Sequence, residues 1–350
     1  MGTQINAALT SFGMSGEYFH APFLHVNPNF NLVKVMERHL EKSKQLYPYV
    51  KVVRDFKNIL NDDKIDLVVI NTPNFLHFEM AKNALLAGKH VIIEKPFTRT
   101  VKEAEELIEL AAKQKRVLSV YQNRRWDGDF LTVKKIIQNK LLGDLVEFRS
   151  HFDRYRNFIK PNTWKEEDYP DSGLLYDIGP HLIDQAARLF GKPNAVYADL
   201  RMQRSGSKII DNFEIVLSYP NLKVILNSGF LYKKQMVRFA LFGTNGSFIK
   251  NGLDPQEDTL KKNGFNQSNE WGTEPEKYWG YLDTQISELS YKGKIETVAG
   301  CYQKYYENIY ETISEKKELE VKPEQVLITS RIIELALESS TEKKTINYSK

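Results

Sequence analysis

Short apolar runs recur through the first third of the chain, at residues 5–9, 31–36, 50–53, 67–71, 90–93 and 117–120. Each is four to six residues long and dense in Val, Ile and Leu, the pattern of strands buried on both faces. Helical periodicity fills most of the gaps between them. The spacing predicts a helix over 75–87, with Asn74 as its N-cap and Gly88 as its stop, and another over 101–115, with Thr100 as its cap. In the second, Ala104, Leu107, Ile108 and Ala111 share one face. Six strands alternating with helices predict a doubly wound parallel sheet of the dinucleotide-binding kind.

The rhythm changes after Asn123. A helix is expected near 130–139, a strand at 145–152 and a helical stretch over 173–190. Further strands are expected at 195–202, 212–219, 223–229, 237–242 and 247–250. Pro220-Asn221 joins two of these as a tight hairpin. Residues 251–298 are polar and read as a long irregular loop, and two helices, near 302–316 and 323–340, close the chain. The expected division is 1–123 and 124–350, the second part an α+β domain with a large, mainly antiparallel open sheet.

The candidate chemistry begins where the first strand ends, at Ser11, Phe12, Gly13, Met14, Ser15 and Gly16. The dinucleotide fingerprint G-x-G-x-x-G fits only with Ser11 in place of the first glycine. The second glycine lets the backbone approach a pyrophosphate and the third lets the helix pack closely on the strand. The second strand is followed by Glu37 and Arg38. Glu37 stands where a carboxylate accepts ribose hydroxyls and favours NAD, whereas Arg38 can hold a 2′-phosphate and favours NADP. The choice of cofactor stays open.

Two more segments stand out. Glu94-Lys95-Pro96 follows the apolar run 90–93, and ligands of open α/β sheets sit beyond the carboxyl ends of strands. The peptide before Pro96 is a candidate for the cis form. Asp177, His181 and Asp184 share one face if 173–190 is one helix, with Pro180 starting or kinking it. Removing hydride from a secondary alcohol needs a base for the hydroxyl proton, which suits histidine, and a lysine cation stabilises the developing alkoxide.

The 350 residues carry a formal net charge of +4 and a single cysteine, Cys301. No basic run marks a nucleic-acid partner and no apolar run reaches membrane-span length, so neither partner is expected. An intrachain disulfide is impossible, and a soluble cytoplasmic protein is the working expectation. The histidines form no H-E-x-x-H pair and no metal site is expected.

Taken together these motifs resemble the Gfo/Idh/MocA oxidoreductases. Further matches are Thr72-Pro73-Asn74 with His77, the run 122–127 (QNRRWD) and the run 252–257 (GLDPQE). The last two are similar to the branch containing the NADP-dependent scyllo-inositol dehydrogenases. The resemblance implies a Rossmann domain, NAD or NADP as cofactor, and a sugar, inositol or related polyol as substrate. It also implies a homodimer or higher homo-oligomer through the C-terminal sheet. By position it implies Lys95 as catalytic lysine, His181 as acid/base and Asp177 as partner carboxylate, with Thr72, Pro73, Asn74, His77 and Glu94 near the cofactor. Arg124, Arg125, Asp153, Tyr155 and Trp164 are the candidate substrate contacts. The alternatives are a non-catalytic cofactor sensor and a reductase of an imine or tetrapyrrole.

Overall fold

The structure is a computed structural model that describes residues 4–349 apart from Gln267 and Asn269. In chain order its main elements are β1 (Ile5–Leu9), α1 (Ala21–Val26), β2 (Phe30–Met36), α2 (Lys42–Leu46), β3 (Lys51–Val53), α3 (Lys57–Leu60), β4 (Leu67–Ile70), α4 (His77–Leu86), β5 (His90–Ile93), α5 (Val101–Lys113) and β6 (Leu118–Val120). There follow α6 (Gly128–Gln138), β7 (Leu145–His151), α7 (Leu174–Asp177), α8 (Gly179–Phe190), β8 (Ala195–Arg201), β9 (Asn212–Ser218), β10 (Lys223–Gly229), β11 (Phe239–Gly243) and β12 (Gly246–Lys250). The last are α9 (Gln256–Asn263), β13 (Gly280–Ile286), β14 (Leu289–Ile295), α10 (Gln303–Glu315), α11 (Pro323–Glu342) and β15 (Ile346–Asn347). A π-helical turn, Ser15–His20, leads into α1.

The chain forms two compact units. The first comprises Met1–Asn123, Gln256–Asn269 and Cys301–Leu327; the second comprises Arg124–Pro255, Glu270–Gly300 and Ile328–Lys350. The first unit therefore takes two segments from late in the chain. Its sheet has the order β3-β2-β1-β4-β5-β6 with every pair parallel. The order reverses between β1 and β4, which is where such sheets open a crevice for a ligand. Every residue of β4 is buried, the consequence of helices on both faces. Helix α5 starts as the sequence predicts: Thr100 Oγ1 accepts the Glu103 N–H at 3.2 Å, and Glu103 accepts the Thr100 N–H at 3.3 Å. This reciprocal cap contributes about 1 kcal/mol. Asn74 differs from expectation. It begins a short 3₁₀ turn, Asn74–Leu76, and α4 follows at His77 without a side-chain cap. Tyr302, just before α10, and Tyr305 and Tyr306 within it are fully buried, so these rings are core.

The second unit holds a nine-stranded sheet of order β14-β13-β12-β11-β7-β10-β9-β8-β15. Only β7 and β10 run parallel; the other neighbours are antiparallel, including the β9–β10 hairpin around Pro220-Asn221. Its inner face, with Phe148, Phe213, Leu217, Leu226, Phe239 and Phe248, packs on Phe130 and Val133 of α6 and on Leu182, Ile183 and Ala186 of α8. Burying each such side chain contributes roughly 1.5–3 kcal/mol. The expected loop over 251–298 is corrected: it contains α9 and the hairpin β13–β14. Strand β14 is largely exposed at the sheet's edge, so it carries little of the apolar signal by which strands are read. Among the described residues no helix is long and apolar enough to cross a membrane.

Candidate active site

The fingerprint turn leaves β1 at the crevice of the first sheet. A Cβ on Gly16 would lie 2.5 Å from the Ser11 carbonyl oxygen, so only glycine lets the helical turn approach the strand end. A Cβ on Gly13 would meet nothing within 4 Å, leaving its backbone open to a ligand. Ser11 has no positive φ and needs no glycine. It is instead sewn to Asn71, just past β4: Asn71 Oδ1 accepts the Ser11 N–H at 2.9 Å, and Ser11 Oγ donates to the Asn71 carbonyl at 2.8 Å. Asn71 Nδ2 donates back to the Ser11 carbonyl at 3.0 Å. These bonds replace the glycine's role by cross-linking two strand ends. Sequence reasoning missed Asn71, whose one signal was its place at the end of an apolar run. Phe12 is buried, Met14 is exposed, and Ser15 opens the π-helical turn. The cleared backbone and the helical start fit a pyrophosphate.

Glu37 and Arg38 part company in the structure. Glu37 is buried, and its two oxygens accept the N–H groups of Lys42 and Ser43 at 2.9 and 3.0 Å. Ser43 Oγ donates to the same carboxylate at 2.5 Å. The carboxylate thus satisfies the start of α2. Arg38 is exposed beside it.

The lysine-bearing turn follows β5. The Lys95–Pro96 peptide is cis, as the sequence suggested. Glu94 Oε2 accepts the Lys95 main-chain N–H at 3.0 Å, and Glu94 Oε1 lies 2.9 Å from His20 Nε2. Burial works to raise the Glu94 pKa, but the hydrogen bond and charge of His20, with Lys95 nearby, hold it below its ordinary value. On the far side of the turn, His77 is buried with Nδ1 2.9 Å from the Pro96 carbonyl and Nε2 3.0 Å from the Thr72 carbonyl. Burial lowers the His77 pKa against the pull of those two carbonyls. His77 therefore ties the turns after β4 and β5 together. Pro73 precedes the 3₁₀ turn that Asn74 opens.

In the second unit the helical stretch expected over 173–190 divides at Ile178, and the longer helix starts at the turn holding Pro180, one of the two alternatives the sequence left open. Asp177 ends α7, Ile178 intervenes, and Pro180 lies in the first turn of α8. Asp177 and His181 consequently do not share one continuous helical face, while His181 and Asp184 remain on α8. The proline cannot donate to a preceding carbonyl and suits a helix start. Asp177 Oδ1 lies 3.1 Å from Lys165 Nζ, and its Oδ2 lies 3.6 Å from Arg154 Nη1. Arg125 is buried in a two-pronged pair with Asp184, and Arg124 pairs with Asp127 at 3.2 Å while lying over the Phe152 ring. Asp153 is buried, whereas Tyr155 is exposed and Trp164 is half-buried in a 3₁₀ turn. The loop between β7 and α7 is pinned by Glu166, which pairs with Arg156 at 2.6 Å and with Arg204 at 2.8 Å.

A doubly wound sheet with this turn at its switch point is the architecture of a dinucleotide-binding domain. The chain belongs to the Gfo/Idh/MocA family: residues 5–122 match the family model described as an oxidoreductase family NAD-binding Rossmann fold, and residues 134–348 match that of the C-terminal alpha/beta domain. It is 39% identical to the NADP(+)-dependent scyllo-inositol 2-dehydrogenase IolW of Bacillus subtilis, over 98% of this chain and 95% of the relative. A crystal structure of an oxidoreductase from Bacteroides fragilis shares 47% identity, with a TM-score of 0.90 over 98% of this chain and 99% of that one. The Bacillus subtilis oxidoreductase yvaA superposes with a TM-score of 0.96 at 38% identity, over 99% of both chains. The protein is thus an oxidoreductase with an NAD(P)-binding Rossmann domain.

Proposed function

We propose that the protein oxidises a secondary alcohol of a sugar, inositol or related polyol, or reduces the corresponding ketone. The observation that carries the reading is the place of Lys95: it follows β5, on the sheet edge where the fingerprint turn leaves β1, in a turn held by Glu94 and His77. When bound, the nicotinamide takes up or returns the hydride of the reacting carbon. Lys95 donates hydrogen bonds to the reacting oxygen and stabilises negative charge as it develops there. His181 takes the hydroxyl proton in oxidation and returns it in reduction. Asp177 is its partner carboxylate, and Lys165 and Arg154 pair with that carboxylate. Tyr155 and Trp164 offer ring faces of the kind that pack on sugars. The name of the IolW relative supports a polyol substrate.

The cofactor assigned to this chain is NADP(H). Both Glu37 oxygens already accept hydrogen bonds from the start of α2, whereas the exposed Arg38 is available for a 2′-phosphate. A homo-oligomer through the large sheet is also part of the reading. Its register aligns Tyr197, Val216, Ile225, Arg149, Ala240, Ile249 and Tyr281 directly across one face, opposite to the buried core face. Such a largely apolar row suits a second copy of the sheet.

The test is a polyol and sugar panel run with each cofactor on the parent and on Lys95→Met. Turnover that falls at least a hundredfold in the variant, with cofactor affinity within threefold, supports the reading. Near-parental turnover in Lys95→Met would overturn it.

A further inference from the structure

A buried line of side chains reaches the lysine-bearing turn from the far end of the sequence. Tyr306 of α10 places its hydroxyl 2.7 Å from His20 Nδ1. His20 Nε2 lies 2.9 Å from Glu94 Oε1, and Glu94 Oε2 accepts the Lys95 N–H. His20 and Tyr306 are wholly buried. An ionised Glu94 only accepts, so His20 carries a hydrogen on Nε2 and donates it to Glu94, while the Tyr306 O–H holds the other side of the ring at Nδ1. Burial raises the Tyr306 pKa well above its ordinary value, so the phenol keeps that proton. His20 also lies against the Tyr121 ring, with centroids 4.4 Å apart, and the Tyr121 hydroxyl donates to the Phe19 carbonyl at 2.7 Å. The ring therefore has one orientation available.

His20 ends the π-helical turn that begins inside the fingerprint. A π turn carries an extra residue and re-aims the side chains that follow, and such turns are frequent at functional sites. Here it aims an imidazole at the carboxylate beside Lys95. An apolar residue at position 20 would fill the space but leave a buried carboxylate short of a donor. That deficit favours protonation of Glu94 and weakens its hold on the Lys95 main chain.

We propose that His20 is a positioning residue for Lys95, acting through Glu94, with Tyr306 fixing the orientation of its ring. Together with His77 at Pro96, it clamps the Glu94–Pro96 turn from both sides, so that the lysine is presented in one place rather than several. The inference rests on the reading of Lys95 as the catalytic lysine. It assigns to α10 a part in the site that its burial alone does not imply.

The experiment uses the full chain and three variants: His20→Leu, His20→Gln and Tyr306→Phe. Two readouts are taken: kcat on the best alcohol from the panel, and the acetylation rate of Lys95 under a brief acetic anhydride pulse, read by mass spectrometry against the exposed Lys160. In His20→Leu, kcat should fall at least tenfold with cofactor affinity within threefold, and Lys95 labelling should rise at least threefold. His20→Gln, whose amide N–H can reach Glu94, should recover most of both. Tyr306→Phe should shift both readouts in the same direction by a smaller factor, and adding it to His20→Leu should cost nothing more. If His20→Leu lowers only the melting temperature and leaves both readouts within twofold, the contact is packing alone and the proposal is overturned. If that variant does not fold, Tyr306→Phe decides, and unchanged Lys95 labelling there overturns the proposal. If the parent oxidises none of the panel, the dehydrogenase reading fails, and the labelling readout still decides the role of His20.

Discussion

Arg125 and Asp184 form a two-pronged ion pair inside the second unit, with Nε to Oδ2 and Nη2 to Oδ1 both at 2.7 Å. The side chains are 6% and 2% exposed, so neither charge has water as an alternative partner. On the same helix, Gln185 donates to the Arg124 carbonyl at 2.9 Å and accepts from Arg238 at 2.8 Å. The segment 124–127 is therefore bound to α8, the helix that carries His181. Asp184→Asn removes the charge opposite the buried guanidinium and should cost about 3–5 kcal/mol. The double variant Arg125→Met, Asp184→Leu should recover most of that loss. Urea midpoints measure both, and a single variant as stable as the parent would show that the pair holds nothing.

Gly16 makes a sharper test of the nucleotide turn. A methyl group there meets the Ser11 carbonyl oxygen at 2.5 Å, and that carbonyl is itself anchored by Asn71 Nδ2. Overpacking of this kind costs roughly 1–3 kcal/mol. Gly16→Ala should therefore weaken cofactor binding by tenfold or more, as read by titration of reduced-cofactor fluorescence. Gly13→Ala meets no protein atom, so any loss it causes should come from the ligand side alone.

Arg38 and Glu37 separate the two cofactor readings. Arg38→Ala should raise the NADP dissociation constant at least tenfold and leave NAD within twofold, since a charged hydrogen bond contributes about 1.5–3 kcal/mol. Glu37→Gln should lower the melting temperature, because its oxygens hold the Lys42 and Ser43 N–H groups, and should leave NAD affinity nearly unchanged. A selective loss of NAD binding in Glu37→Gln would return the ribose to Glu37.

His90 makes stability depend on pH. Burial, with Arg116 and Lys316 nearby, lowers its pKa to about 4, and its Nδ1 accepts the Val117 N–H at 2.9 Å. The unfolded chain takes the proton near pH 6.5, so it binds more protons than the folded one between 6.5 and 4. The contribution of His90 is whole above pH 6.5 and is lost as pH falls through that window. Stability at pH 5 should be about 2 kcal/mol below that at pH 7.5 from this group. His77, shifted the same way by burial, adds to the slope. His90→Gln should flatten the dependence of the urea midpoint on pH, and a slope equal to the parent's would remove His90 as its source.

Strand periodicity and turn chemistry determined much of this protein by themselves. The six runs of the first sheet, the Thr100 cap, the hairpin at Pro220-Asn221 and the motif around Lys95 are local patterns, set by residues a few positions apart. So were the identities of Lys95, Asp177 and His181 as candidates. Tertiary structure decided the rest, because the deciding contacts join residues far apart in sequence. Ser11 replaces a glycine only because Asn71, sixty positions on, offers its amide and carbonyl. Glu37 and Arg38 carry rival cofactor signals in the sequence, one for ribose hydroxyls and one for a 2′-phosphate, and only the fold shows that the first is buried and the second exposed. The β13–β14 hairpin escaped notice because an exposed edge strand needs no apolar alternation. His20 had no motif to announce it. Its meaning comes from Glu94 and Tyr306, brought to either side of one ring by packing that no short window of sequence contains.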